Sequence, residues 1–589
     1  MKLFHTLLLL LLTLSVSMLL DAQSTNATLS GVVVDSAGKV IPDAKIEMLN
    51  EATDVHYAGQ TNGTGIYTVS ILPPGQYRVQ VSKDGFKTII KPGIILNVQS
   101  ALALNFTLPI GATSETVTVA EGATEINTTD GSVSTVIDRK FVENMPLNGR
   151  SFQNLILLDP GTVTASPQRS SGMNSGEFSV NGQRTESNYY TVDGVSAMGG
   201  ISSTSTASGT SGSLSASTSL GTTQALVSVD AMQEFRVEGS SYSAEYGRNP
   251  GGQFALLTRS GTNDWHGTAF DYFRNDVLDA NDWFNDNTVP PTSKPPERQN
   301  DFGGTMGGPV RIPHLYNGKN RSFFFFSYEG LRLAQPAAAK INAVPDLAFR
   351  QSVTGPIKQV LDAFPTPTPN TQDLGGGLGE FVGSWSNPSQ LDATSIRLDQ
   401  SVGQRVHVFF RFSNTPSSTA TRGTPTSDSS PSTVTSSALL SRTYTFGATT
   451  HIATSIDDDF RLNFSSNHVR NSSANDSFGG ANPLDLNGLT GLSAGAQTEV
   501  DLFFGAYNTG LFTAASQATQ RQWNLVDALS VAHGKHAIKM GVDWRRLAPI
   551  LLQANPLVDY EFDSASSVEA NSIDYGYGFS YTPNYGTSE

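Results

Sequence analysis

The side chains able to do chemistry are few and scattered. Nine histidines occur in 589 residues, and no His-Glu-x-x-His pair of the kind that holds a catalytic zinc is among them. His533 and His536 form one close pair, and with Gly534 and Lys535 between them they read as a turn, not as metal ligands. Asp457, Asp458 and Asp459 could suggest calcium. Three consecutive carboxylates lack the alternate spacing of an EF-hand loop, so a solvated turn is expected there. The glycine-rich string 303–308 is not followed by a phosphate-binding lysine in a strand–loop–helix setting, and it reads as turns. Cysteine is absent, which excludes disulfides, thiolate zinc sites, iron–sulfur clusters and thiol catalysis. The expectation is a protein without catalytic residues, metal or cofactor.

Composition says what scaffold carries these residues. Charged side chains are only 15 %, well below the ~25 % of ordinary soluble domains. Asp and Glu (52) outnumber Lys and Arg (37), for a net charge of −15. A nucleic-acid partner would need a basic footprint, so none is expected. With 55 Gly and 29 Pro, the profile disfavours long helices and fits a β-rich chain with many turns. Lys2, the apolar run 7–20 and the Ala22-Gln23 step make residues 1–22 a secretory signal peptide. No later stretch reaches 18 consecutive apolar residues, so any further membrane crossing must use strands.

Three regions follow. In residues 24–109, short β-branched runs at 28–34, 44–49, 66–71, 77–82 and 102–108 recur between turn signals, the spacing of a small β-sandwich. The words Gly31-Val-Val-Val-Asp35, Pro42-Asp43-Ala44, Asn62-Gly-Thr-Gly-Ile-Tyr67, Leu72-Pro-Pro-Gly-Gln-Tyr77 and Gly85-Phe86 resemble the carboxypeptidase regulatory-like domain. That resemblance implies a transthyretin-like, carbohydrate-binding-like sandwich with no peptidase chemistry. It acts as a spacer or docking module, with no sugar site that the residues identify.

Residues 113–260 open with Glu115, Thr116, Val117, Thr118 and Val119, an extended stretch able to add to a partner's sheet edge or to serve as a plain linker strand. Further on stand Glu234, Phe235, Arg236, Val237 and Glu238, then Tyr246-Gly247, then Gly251 and Gly252 leading into a strand. This order resembles the plug domain of TonB-dependent outer-membrane transporters. The words Asn148-Gly-Arg-Ser-Phe152, Ser260-Gly-Thr-Asn263, Phe273-Arg-Asn275, Gly307-Gly-Pro309 and Phe323-Phe-Phe-Phe-Ser-Tyr-Glu329 are similar to its Oar-like subgroup, which joins the regulatory-like module to plug and barrel. One departure is Gly239-Ser-Ser, where many plugs carry Arg-Gly-Pro. The resemblance implies that residues 115–119 are the TonB-contacting segment. The stretch 199–221, almost all Ser, Thr, Gly and Ala, cannot build a core and is expected to be a mobile plug loop.

Residues 261–589 carry the dyad alternation of membrane strands. Val406, Val408, Phe410 and Phe412 share one face, and Arg405, His407 and Arg411 the other. Tyr444, Phe446, Ala448 and Ile452, then Ile538, Met540, Val542 and Trp544, repeat the pattern. Phe324, Phe326 and Tyr328 oppose Ser327 and Glu329. Short turns (399–404, 532–535) alternate with long polar connections such as 413–437, as in outer-membrane barrels. With strands of ~10 residues, about 10–13 strands fit the region. The family closes 22 strands, so the chain is expected to be an amino-terminal fragment.

The fold class expected is mainly β: a sandwich, a plug and the first part of an antiparallel transmembrane β-barrel. The resemblance implies a TonB-dependent transporter in the outer membrane, gated by its plug. Its partners would be the TonB energy-transducing complex, outer-membrane lipid and an unidentified substrate. The alternative is a surface glycan-binding or adhesion protein that uses the sandwich without transport.

Overall fold

The computed structural model describes residues 24–118, 131–145, 147, 150–164, 178–200, 214–423, 429–552 and 556–579. The expected signal peptide, Val119, Asn148, residues 201–213 and the chain from 580 lie outside them.

Nine strands build the first body: β1 (Ala27–Asp35), β2 (Lys45–Asn50), β3 (His56–Gln60), β4 (Ile66–Leu72), β5 (Gly75–Ser82), β6 (Thr88–Leu96), β7 (Ala101–Ala103), β8 (Phe106–Leu108) and β9 (Thr116–Thr118). One sheet runs β4-β1-β7, with β8 also on β1; the other runs β3-β2-β5-β6-β9. Alternation drives the packing. Ile46 and Met48 of β2 and Tyr77, Val79 and Val81 of β5 point between the sheets and are fully buried. β3 and β6 were not anticipated. β6 carries Pro92-Gly93 in mid-run, with Gly93 at φ 75 and a register shift opposite Tyr77 and Val79, so its sequence looks broken where the strand bulges.

The second body holds β10 (Val133–Ile137), β11 (Thr162–Thr164), β12 (Phe178–Val180), β13 (Tyr189–Val192), β14 (Val195–Ser196), β15 (Met232–Ser240) and β16 (Gln253–Thr258). Five of them form the sheet β10-β15-β16-β13-β14, and β11 pairs with β12. The helix Arg139–Asn144 starts where the Asp138 carboxylate accepts from the Phe141 N–H at 2.8 Å. The described parts of the low-complexity stretch, residues 199–200 and 214–221, are packed, not loose: Ala216 and Thr218 are buried, and the Ser219 N–H donates to Ser417 Oγ at 2.9 Å.

The third body comprises β17 (His266–Asn275), β18 (Arg298–Pro309), the small hairpin β19 (Arg311–Ile312) and β20 (Tyr316–Asn317), β21 (Ser322–Pro345), β22 (Asp373–Gly375), β23 (Leu378–Val402), β24 (Val406–Arg422), β25 (Thr433–Ala453), β26 (Ile456–Asn475), β27 (Gln497–Phe504), β28 (Tyr507–His533), β29 (His536–Leu552), β30 (Leu557–Phe562) and β31 (Tyr575–Phe579). Thirteen strands share one sheet. The wall is the antiparallel series β17-β18-β21-β23-β24-β25-β26-β28-β29, while β27, β30 and β31 branch from the far end of β28. The anticipated two-faced strands are all present. Phe410, Phe446, Trp523 and Trp544 face outward and are 39–46 % exposed, whereas Arg411, Thr445, Asn463 and Gln522 face the lumen and are buried. Among the described residues no helix is long and apolar enough to cross a membrane.

Three expectations are corrected here. The connection placed at 413–437 is mostly strand: β24 runs to Arg422 and β25 starts at Thr433, with Thr415 opposite Ser441 and Thr419 opposite Ser437. Ser and Thr on both faces of β24 and β25 hide the alternation but still form the ladder, and β21, β23 and β28 also exceed the expected ~10 residues, reaching 24, 25 and 27. Asp457–Asp459 is not a solvated turn but the start of β26, and the buried Asp459 is paired with Arg461. The glycines of 303–308 lie inside β18, not in turns. A Cβ on Gly303 would stand 2.2 Å from the Tyr328 carbonyl oxygen, and one on Gly307 would stand 2.9 Å from the Phe325 ring. They make room for neighbouring strands and aromatic rings.

Candidate functional site

The second body, the expected plug, packs through Asp193 and Ser196 on the lumen face of the wall, and the sandwich meets the wall at Asp459 and at the Gly534 turn. Three contact zones connect the bodies.

The first lies along β15. Its alternation sets Glu234, Arg236 and Glu238 on one face and Phe235 and Val237 on the other, and all five are buried. Phe235 packs on Phe152 at 5.5 Å between ring centroids in the plug core. The polar face meets the sandwich. The Val98 N–H donates to Glu234, and Arg236 donates to the Gln99 carbonyl at 3.2 Å while pairing with Glu238 at 2.8 Å. Burial pushes the Glu234 carboxyl up to about 7, against the opposing effect of the Val98 hydrogen bond. Gly251 and Gly252 precede β16 where chains approach closely. A Cβ would stand 2.6 Å from the Ser187 carbonyl oxygen at 251 and 2.8 Å from Val180 at 252. Tyr246 stacks edge-on against Tyr242 at 5.8 Å. It also helps line a polar cavity of about 220 Å³ shared by sandwich, plug and wall, and Gly247 follows it in the same loop.

The second zone joins plug to wall, and it centres on Asp193. Asp193, at φ 53 and 1 % exposed, pairs with Arg397 of β23 at 3.1 Å and Arg411 of β24 at 2.9 Å. Thr258 donates its N–H and its hydroxyl to the same carboxylate, each at 3.0 Å to Oδ1. Burial alone would raise this carboxyl, but the two guanidiniums and Thr258 hold it below the usual carboxylate range. Ser196 extends the contact. Its N–H donates to Asn524 Oδ1 at 2.7 Å, and its carbonyl accepts from Gln522 at 2.8 Å. Arg150, from the Asn148-to-Phe152 word, pairs with Asp230 and lies 4.1 Å over the Phe270 ring of β17. The lumen face of β24 was legible through alternation. Its plug partner, more than 200 residues away, was not.

The third zone joins sandwich to wall. Ser24 donates to Asp459 at 2.7 Å, Asn62 donates to the Gly534 carbonyl at 2.6 Å, and the Tyr57 ring lies 5.2 Å from His407 and 5.7 Å from His451. Phe323 of β21 joins the sandwich core.

The proposed partner-binding segment stands apart from the plug motif. Residues 116–118 form β9, which pairs in parallel with β6: Thr116 opposite Thr88, Val117 opposite Ile89, Thr118 opposite Ile90. All three are exposed, and Glu115 pairs with Lys87 at 2.6 Å. Val119 is outside the described residues.

His533 and His536 face each other across the turn at 534–535. One string of serine-hydrolase spacing, Gly491-Leu-Ser-Ala-Gly495, stands in the sequence. It joins the helix Leu486–Thr490 to β27, the reverse of the strand-to-helix order that a nucleophile elbow needs. Among the described residues, the carboxylates that gather closely enough for a metal are Glu499, Asp501 and Asp559, on the branch outside the wall.

Residues 257–364 and 355–581 match the outer membrane beta barrel domain family. Residues 28–109 match the carboxypeptidase regulatory-like domain. Over 309 residues the chain is 24 % identical to the TonB-dependent transporter Oar of Myxococcus xanthus, covering 50 % of this chain and 26 % of that protein. The outer membrane transporter YddB of Escherichia coli is 12 % identical with a TM-score of 0.48, over 77 % of this chain and 52 % of that one. The siderophore receptor PirA of Acinetobacter baumannii is 12 % identical with a TM-score of 0.43, over 72 % and 49 %. The chain thus spans about a quarter of the curated relative and about half of the solved structures.

Proposed function

Since the chain belongs to the outer membrane beta barrel domain family, we propose that it works as a TonB-dependent outer-membrane transporter whose plug gates the substrate path. The protein is an outer-membrane protein with an Oar-like relative. The observation that carries the gating reading is the way the plug is held. Asp193 meets Arg397 and Arg411 through ion pairs and hydrogen bonds, and Ser196 meets Asn524 and Gln522. Such contacts can be exchanged for water without exposing apolar surface. Residues 115–119 are the segment on which TonB pulls. A partner strand replaces β6 as the neighbour of β9, and tension passes along the chain into β10 and β15. The sandwich then parts from β15, the Asp193 contacts open, and a path forms along the lumen face of β24 to β28. The substrate approaches from the cell surface or from the periplasm.

The test uses the cysteine-free background. Ser196→Cys introduces a single thiol at a position 3 % exposed between plug and wall. Cells with a functional TonB complex are expected to label this thiol with an impermeant maleimide. Cells lacking TonB, or carrying a deletion of residues 115–119, are expected to label at background. Equal labelling in all three would remove TonB coupling and leave the glycan-binding surface protein as the better account.

A further inference from the structure

Beyond the wall, two short strands place four carboxylates on one face. β27 and β30 pair in parallel, with Glu499 opposite Asp559 and Asp501 opposite Glu561. The other face of β27 carries Val500, Leu502 and Phe504, which pack with Phe562, Phe349 and Leu361 in one apolar cluster. That packing fixes the register, so the acidic residues cannot turn away without a one-residue slip that would bury them. Oxygens of Glu499, Asp501 and Asp559 lie within 4.8 Å of one another. Like charges directly opposite across strands destabilise a sheet, and this grid repeats the arrangement twice.

Two further observations point to what balances the charge. Asp559 is 4 % exposed, and its Oδ1 is buried with no hydrogen-bond partner. Opposite Asp501 on β28 stands Gly510, where a Cβ would sit 1.9 Å from Asp501 Oδ1. The glycine leaves the space that this carboxylate fills.

We infer that Glu499, Asp501, Asp559 and Glu561 form a divalent-cation site of the calcium class on the external branch of the sheet. All donors are hard oxygens, which suit calcium, magnesium or manganese over zinc or copper. Two adjacent strands offer several carboxylates without octahedral symmetry, and calcium accepts irregular geometry where magnesium does not. The ion would tie β30, and through it β31, to β27 and so to the wall.

The test uses the full chain solubilised in detergent, stripped of metal and lipopolysaccharide, and titrated with calcium chloride alone. Calcium is expected to raise the thermal midpoint and to slow proteolysis within residues 490–580. Half-saturation should fall at about 10⁻⁴–10⁻³ M, as for other extracellular calcium sites. Glu499→Gln and Asp559→Asn should each weaken the response by about tenfold or more. Both substitutions also relieve repulsion, so each variant without metal should be at least as stable as the metal-free wild type. A lost response in a folded variant therefore reports the site and not misfolding. No response up to about 10 mM, an equal response in wild type and both variants, or variants that unfold without metal would each overturn the inference.

Discussion

The sandwich and the barrel wall are made from the same alternation and enclose opposite halves of it. In the sandwich, Ile46, Met48, Val79 and Val81 lie inside and charged residues lie outside. In the wall, Arg411, Asp459, Asn463 and Gln522 lie inside, while Phe326, Phe410, Phe446 and Trp523 stay outside, 39–46 % exposed. Alternation shows that a strand has two faces, and the neighbour each face meets decides which one is buried. The sandwich faces another apolar sheet, so its cohesion comes from removing apolar surface from water. The wall encloses a plug that offers Asp193, Ser196 and backbone carbonyls, so its interior cohesion comes from hydrogen bonds and ion pairs. Sliding one sandwich sheet off the other exposes oil. Sliding the plug in the wall exposes mostly groups that water can satisfy, with Phe325 and the Leu220 contact to Leu331 and Leu391 as the apolar exceptions.

The sharpest test of that contrast removes a single charge from the polar interior. Asp193→Ala leaves the buried Arg411 without its carboxylate, while Arg397 keeps Asp399 at 2.9 Å, and it is expected to cost about 3–5 kcal/mol of plug docking. Urea titration of the solubilised protein, with protease accessibility of the plug as readout, measures it. A cost comparable to an exposed ion pair would mean that the lumen is already wet. Next comes the outer face. Phe446→Arg is expected to cost about 2–4 kcal/mol in refolding into lipid vesicles if it sits near the bilayer midplane. The same substitution should be nearly silent in water-exposed positions, so a small effect would place Phe446 outside the lipid band.

A third test works at the junction of the two bodies. Glu234 titrates near 7 when docked against Val98, above its ordinary value of 4.5. Between those values the docked form holds a proton that the undocked form has lost. Docking is therefore favoured on the acid side and weakens as pH rises through about 7. Hydrogen exchange at the Val98 amide should quicken over that interval, and Glu234→Gln should flatten the profile. The smallest effect belongs to the Glu115–Lys87 pair, whose side chains are 55 % and 35 % exposed. Glu115→Gln should change exchange in β9 by no more than ~1 kcal/mol. A larger change would make the salt bridge, not the ladder to β6, the clasp on this segment.

The parts legible in the sequence were those set by neighbours close along the chain. The two-faced strands around Phe410, Phe446 and Met540 and the turn between His533 and His536 follow from residues close along the chain. What escaped depends on distant partners. β24 continues to Arg422 because β25 supplies its ladder, although Ser and Thr on both faces erase the period. Asp457–Asp459 looked like a turn because three acids in a row suggest solvent. The buried Asp459 is tolerable only because Arg461 and Ser24 reach it. Asp193, at φ 53 before Gly194, sits in a turn, yet its carboxylate is claimed by two arginines from the wall. β6 was hidden by a proline and glycine that mark a bulge, not an end.

The length of β28 has a consequence for where the protein meets its surroundings. At ~3.4 Å per residue, its 27 residues extend about 90 Å. A tilt of about 40° leaves roughly 70 Å of height, of which an apolar band takes only about 25 Å. With the Gly534 turn set at one edge of that band, some 45 Å of wall would stand clear of the membrane on the other side. First encounter with any large particle, whether cargo, antibody or phage, then takes place on a raised collar of serine and threonine, well away from the lipid.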